Sequence, residues 1–185
     1  MAVKYFELNI KTSFLEEANF KNNFFDIITL TDVFEHITNP ERMLTAIRMI
    51  MKPDGILFIK VPNGLFNMLK FKVAKITGRL KNYDIFDSYE HVVHYSDVTI
   101  RKMLDKYGFR VVKIALGSPI QIPVWHKFVG HYFQYPCPWR LDYKRQTARS
   151  ILYLLAQIEF FLRGGKVGCL APNIIVIAKK IDLPE

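Results

Sequence analysis

Five histidines occur in the 185 residues, and three of them stand where a proton could be moved. His36 follows a short apolar run, while His91 and His94 lie just ahead of a serine-capped helix. Imidazole is the side chain best suited to act as a base near neutral pH. His36, His91 and His94 are therefore candidates to take a proton from an oxygen or nitrogen. A lone histidine is more often structural, so their weight depends on whether the fold brings them together. The same three would begin a metal set, but no spaced carboxylate or cysteine completes it, and no metal is expected. Cys137 and Cys169 lack CxxC or ligand-like spacing. They read as plain thiols of a reducing, cytoplasmic-type chain.

The elements that must position these groups alternate. Residues 26–30 read as a strand, and residues 9–15 as a shorter one. Asn39-Pro40 opens a helix, with Asn39 as cap and Pro40 in the first turn, where its missing N–H costs nothing. Met43, Leu44, Ile47, Ile50 and Met51 then form one buried stripe. Residues 52–55 (KPDG) read as a stop and a turn. Residues 56–61 form a strand apolar on both faces, as in a parallel sheet covered on both sides. Strand, helix and strand in about 35 residues make a parallel βαβ unit. Thr31, Asp32, Val33 and His36 then lie beyond a strand's carboxyl end, where open α/β sheets bind ligands. Asp32 has a plainer alternative, capping the turn that follows.

Further on, residues 65–81 suggest a helix with Leu65, Met68, Leu69, Val73 and Ile76 on one side. Lys70, Lys72, Lys75, Arg79 and Lys81 surround that stripe, which suits either a lid with a solvated basic face or contact with an anionic membrane surface. Ser96 caps a helix that Gly108 ends, and residues 109–116 and 173–178 are strands. Residues 117–172 depart in composition: an aromatic, proline-rich stretch from Trp125 to Trp139 precedes a helix at 143–162. The stretch suits an acceptor pocket, an interface or a cap, and the helix suits core or a homo-oligomer surface. One domain, residues 1–185, with an insertion at 117–172, is expected.

Composition narrows the partners. Half the residues are apolar, which argues against disorder. A net charge of +9 suits anionic partners, yet no run concentrates it, so specific nucleic-acid binding is not expected. No apolar segment follows the first residues as in a signal peptide. The longest apolar run, 151–162, is too short to cross a bilayer and holds Gln157 and Glu159.

The residues Phe25-Asp26-Ile27-Ile28-Thr29-Leu30-Thr31-Asp32-Val33-Phe34-Glu35-His36 resemble the fourth strand of class I S-adenosylmethionine-dependent methyltransferases, especially small-molecule enzymes related to those of ubiquinone biosynthesis. Asn39-Pro40, Met51-Lys52-Pro53-Asp54-Gly55, Val61-Pro62-Asn63, His94-Tyr95-Ser96 and Lys106-Tyr107-Gly108-Phe109 match later family motifs in order. The resemblance implies a partial Rossmann-like α/β sheet, mostly parallel with an antiparallel C-terminal strand. It also implies S-adenosylmethionine as cofactor and a small-molecule acceptor. Thr31, Asp32 and Val33 would line the methionine and sulfonium side of the cofactor. Leu15 and Glu16 would reach its adenine, through backbone, since Phe14 stands where many relatives carry Asp. The family's GxGxG loop and ribose-binding acid do not occur in this sequence. The chain is therefore expected to be a truncated or degenerate domain without the first two strands, inactive alone. The alternative is a non-catalytic remnant or interaction module.

Overall fold

The computed structural model describes residues 10–78, 91–117 and 143–181, with side chains of 143–149 left aside. Four strands form one sheet in the order β1-β2-β4-β3: β1 Phe25–Thr31, β2 Met51–Pro62, β3 Phe109–Gly117 and β4 Asn173–Lys180. β1 and β2 pair in parallel, whereas β4 runs antiparallel to both β2 and β3. The expected βαβ unit and the antiparallel closing strand are both present. Among the described residues β1 has no partner on its outer side.

Helix α1, Pro40–Ile50, joins β1 to β2, and the Asn39 side chain accepts from the Arg42 N–H at 3.1 Å. Its Leu44 and Ile47 are fully buried against Leu57, Ile59 and Val61 of β2 and Ile174 and Val176 of β4. Ile56, Phe58 and Lys60 alternate onto the other face of β2 and are half-buried, so the two faces are covered unequally. Helix α3, Asp97–Lys106, begins with a reciprocal capping box between Ser96 and Thr99. It buries Ile100 and Leu104. Gly108 leaves that helix at φ 78°, a left-handed conformation that costs a glycine little.

Three expectations need correction. Residues 10–14 form no strand; the chain instead makes a 3-10 turn at Leu15–Glu17 that packs beside α1. The KPDG segment is not a separate turn before the strand. β2 starts at Met51, and Lys52–Gly55 bulges out of the ladder, because Phe25 pairs with Met51 and Ile27 with Ile56. Helix α2, Gly64–Ile76, buries Gly64 and Asn67, while Leu65, Met68, Val73 and Ile76 of the apolar stripe are exposed. Arg79, Lys81 and the stretch from Trp125 to Trp139 with Cys137 lie outside the described residues. The last helix, α4, Tyr143–Leu162, has the expected bounds. No helix among the described residues is long and apolar enough to cross a membrane.

Candidate functional site

Because β1 and β2 are parallel, their carboxyl ends open on the same side. Thr31 is in register with Lys60. Asp32 follows at φ 53° and turns the chain out of the sheet, its N–H still donating to the Lys60 carbonyl at 3.1 Å. The Lys60 ammonium donates to both Asp32 carboxylate oxygens, at 2.9 and 2.6 Å. Asp32 is thus committed to Lys60. The 3-10 turn that follows, Phe34–His36, has Val33 as its N-cap and no side-chain capping bond. Thr31, Asp32 and Val33 are all exposed.

A second segment, residues 91–95, is tied across this mouth. The N–H groups of Val92 and Val93 both donate to the Glu35 carbonyl, at 3.0 and 3.1 Å. On the other flank Asn63 and Tyr95 form a parallel bridge, and the Gly64 N–H donates to the Tyr95 carbonyl at 2.7 Å. A Cβ on Gly64 would sit 3.2 Å from both the His94 Cβ and the Tyr95 oxygen, so the missing side chain lets the two segments meet. Asn63 anchors the junction from within. Fully buried, it donates to the carbonyls of Gly168 and Ala171 and accepts from the Leu65 N–H.

The histidines converge. The rings of His36 and His91 lie 5.0 Å apart, and those of His91 and His94 6.1 Å apart. All three are half-buried. Beneath them Tyr95 stacks on Phe34 at 5.0 Å. Burial, and then the charge of Glu35, push the Tyr95 phenol up to about 12, so it stays a neutral O–H.

Glu35 is the residue that sequence reasoning passed over. It is 1% exposed, and among the described residues neither carboxylate oxygen has a hydrogen-bond partner. The nearest His36 nitrogen is 4.0 Å away, beyond hydrogen-bond reach. One ligand-type atom from each of Glu35, His36 and His91 falls within 4.8 Å of the others. The sequence shows no spaced carboxylate to complete a metal set with the histidines. The fold supplies one from the position next to His36, and the group so formed includes His91 but not His94.

Leu15 and Glu16 stand elsewhere. With Asn19, Phe20, Arg42 and Met49 they line a cleft of about 400 Å³ between their 3-10 turn and α1. The Glu16 carboxylate is 3.5 Å from Arg42. Thr31, Asp32 and Val33 are not part of this cleft, so the structure does not gather all five expected cofactor residues into one cavity.

A sequence profile of the methyltransferase domain family matches residues 5–114. The chain belongs to the class I S-adenosylmethionine-dependent methyltransferases. The family's cofactor is S-adenosylmethionine. The ubiquinone/menaquinone biosynthesis C-methyltransferase of Shewanella pealeana is 27% identical over 110 residues, covering 52% of this chain and 43% of that protein. The same enzyme of Shewanella oneidensis is 28% identical over 110 residues, with equal coverage. The chain thus spans less than half the length of these curated relatives. Among solved structures, a SAM-dependent methyltransferase from Archaeoglobus fulgidus superposes with a TM-score of 0.50 at 16% identity, covering 92% of this chain and 66% of that one. One from Methanosarcina mazei gives 0.50 at 10% identity, with the same coverage. These likenesses establish the fold.

The residues present fit the family's cofactor in part. An exposed turn closes β1, and Asp32 and Lys60 offer a carboxylate and an ammonium side by side. A zwitterionic amino-acid group requires that pair of charges. No GxGxG loop occurs in the 185 residues.

Proposed function

We propose that this domain transfers a methyl group from S-adenosylmethionine to an oxygen or nitrogen of a small-molecule acceptor, at the carboxyl ends of β1 and β2. The observation that carries this reading is the convergence of His36, His91 and His94, drawn from two distant segments, beside the exposed turn at Thr31, Asp32 and Val33. Methyl transfer from a sulfonium needs the nucleophile held in line with the methyl carbon and, for a hydroxyl or amine, relieved of its proton. The cofactor supplies the electrophilic methyl group when bound. Asp32 and Lys60 hold its amino-acid end, and an imidazole of the cluster accepts the acceptor's proton. Leu15 and Glu16 take the adenine through backbone contacts, which requires their turn to close toward the mouth.

Full cofactor affinity, in this reading, depends on a glycine-rich loop that these residues do not include. The test joins a glycine-rich strand–loop–helix unit ahead of residue 1 and follows labelled methyl transfer to a panel of quinols, phenols and amines. Transfer to at least one acceptor is expected, and removal of the true base should slow it by about 10²–10⁴-fold. Bound cofactor without transfer to any acceptor would favour the second reading, a binding module that kept the fold and lost the chemistry.

A further inference from the structure

We propose that Glu35, His36 and His91 form a binding site for one divalent first-row transition ion, with zinc as the reference ion. The argument starts from Glu35. A carboxylate removed from water is strongly disfavoured unless it is paired or coordinated, and both Glu35 oxygens are buried without a hydrogen-bond partner among the described residues. His91 presents a second buried atom beside it, an Nδ1 with no hydrogen-bond partner among the described residues. Among the described residues no hydrogen bond joins these two buried groups to each other or to the buried Tyr95 hydroxyl, and a bound cation would satisfy the lone pairs of Glu35 and His91. The donor set is two imidazoles and one carboxylate. It suits zinc and its neighbours better than magnesium or calcium, which prefer oxygen alone.

Geometry supports the same reading. The three ligand-type atoms lie within 4.8 Å of one another. Ligands at about 2.0–2.2 Å from a tetrahedral ion stand roughly 3.5 Å apart, so modest rotation of the two half-exposed imidazoles closes the set. The backbone already holds both segments in place, through the paired bonds from Val92 and Val93 to the Glu35 carbonyl. Two ligands come from the turn after β1 and one from residues 91–95, so the ion would staple the second segment across the mouth. Three protein ligands leave a fourth position for water, on the side where His36 is 36% exposed, and with His36 and His91 on the ion, His94 is the imidazole of the cluster left to act as base.

The test uses the 185-residue chain, stripped with a chelator and titrated with Zn²⁺ against a chromophoric competitor. Co²⁺ substitution reads the coordination through its visible absorption. One equivalent should bind with micromolar affinity or tighter, raise the melting temperature, and give Co²⁺ the intense spectrum of a four- or five-coordinate ion. Glu35→Gln and His91→Ala should each weaken binding by more than the roughly 10–100-fold that loss of an outer-shell partner costs, whereas His94→Ala should leave it unchanged. Glu35→Gln keeps the side-chain shape, so it remains informative if His91→Ala does not fold. An adventitious ion only, bound with equal affinity by wild type, Glu35→Gln and His36→Gln, would overturn the proposal. So would a stripped wild-type chain that takes up no ion at micromolar Zn²⁺.

Discussion

At the scale of single residues, the Asp32–Lys60 pair separates binding from stability. The pair is partly exposed, Asp32 more than Lys60, and pairs still open to solvent contribute about 0–1 kcal/mol, so Lys60→Ala should barely change the melting temperature. If Lys60 holds the carboxylate of the cofactor's amino-acid end, the same change should weaken S-adenosylmethionine binding by about 1 kcal/mol, roughly five-fold. Calorimetry on the two proteins checks this, and equal affinities would remove Lys60 from the site. Tyr95 gives the opposite case. Its hydroxyl is buried with no hydrogen-bond partner among the described residues, so Tyr95→Phe should leave stability unchanged or raise it, as urea unfolding would show. Sequence made the three histidines legible because imidazole is scarce and its chemistry is specific. It hid Glu35, because a glutamate beside an apolar run ordinarily faces water, and only the tertiary fold turns this one inward. Lys60 was equally hidden, as the single charged residue of an otherwise apolar strand at 56–61.

Single elements carry the next set of outcomes. Ser96 starts α3 with a capping box, and Ser96→Ala should cost about 1 kcal/mol of stability. Because the capped helix follows directly on residues 91–95, the same variant should also loosen the mouth, read as faster amide exchange at Val92 and Val93. Unchanged exchange there would mean that the bonds to Glu35 and Gly64 hold the segment without the cap. Helix α2 invites a different experiment. Leu65, Met68, Val73 and Ile76 are exposed beside Lys72 and Lys75, a surface suited to an anionic bilayer. Co-sedimentation with phosphatidylserine vesicles should exceed that with neutral ones and fall when Lys72 and Lys75 become Gln; equal binding to both vesicles would argue for a lid over the mouth. The apolar spacing of this helix was readable beforehand, but periodicity does not say whether a stripe meets a core, a membrane or a substrate. The KPDG segment taught a similar limit. Its composition signals a turn, yet β2 accommodates it as an excursion within one continuous strand because residues on both sides pair with β1.

For the whole molecule, the strands and the parallel β1–β2 pair were legible from the alternation of apolar runs and helix caps, whereas the antiparallel β4 was implied by the family resemblance alone. The proposed cofactor site was less so. Thr31, Asp32 and Val33 share the mouth with the histidines, while Leu15 and Glu16 face a separate cleft. Contacts between segments that lack a common element leave no mark in local spacing. The central claim is that the cofactor lies at the carboxyl ends of β1 and β2, with its glycine-loop contacts missing from these 185 residues. Amide chemical-shift mapping of the isotope-labelled chain, titrated with S-adenosylmethionine, tests it most directly. The account predicts weak binding, with a Kd near ~1 mM or about 4 kcal/mol, and shifts concentrated at Thr31, Asp32 and Val33, with smaller ones at Leu15 and Glu16. Shifts clustered at the β3–β4 edge, or none at millimolar cofactor, would contradict the site, and a tight stoichiometric complex would contradict the need for the glycine-rich loop.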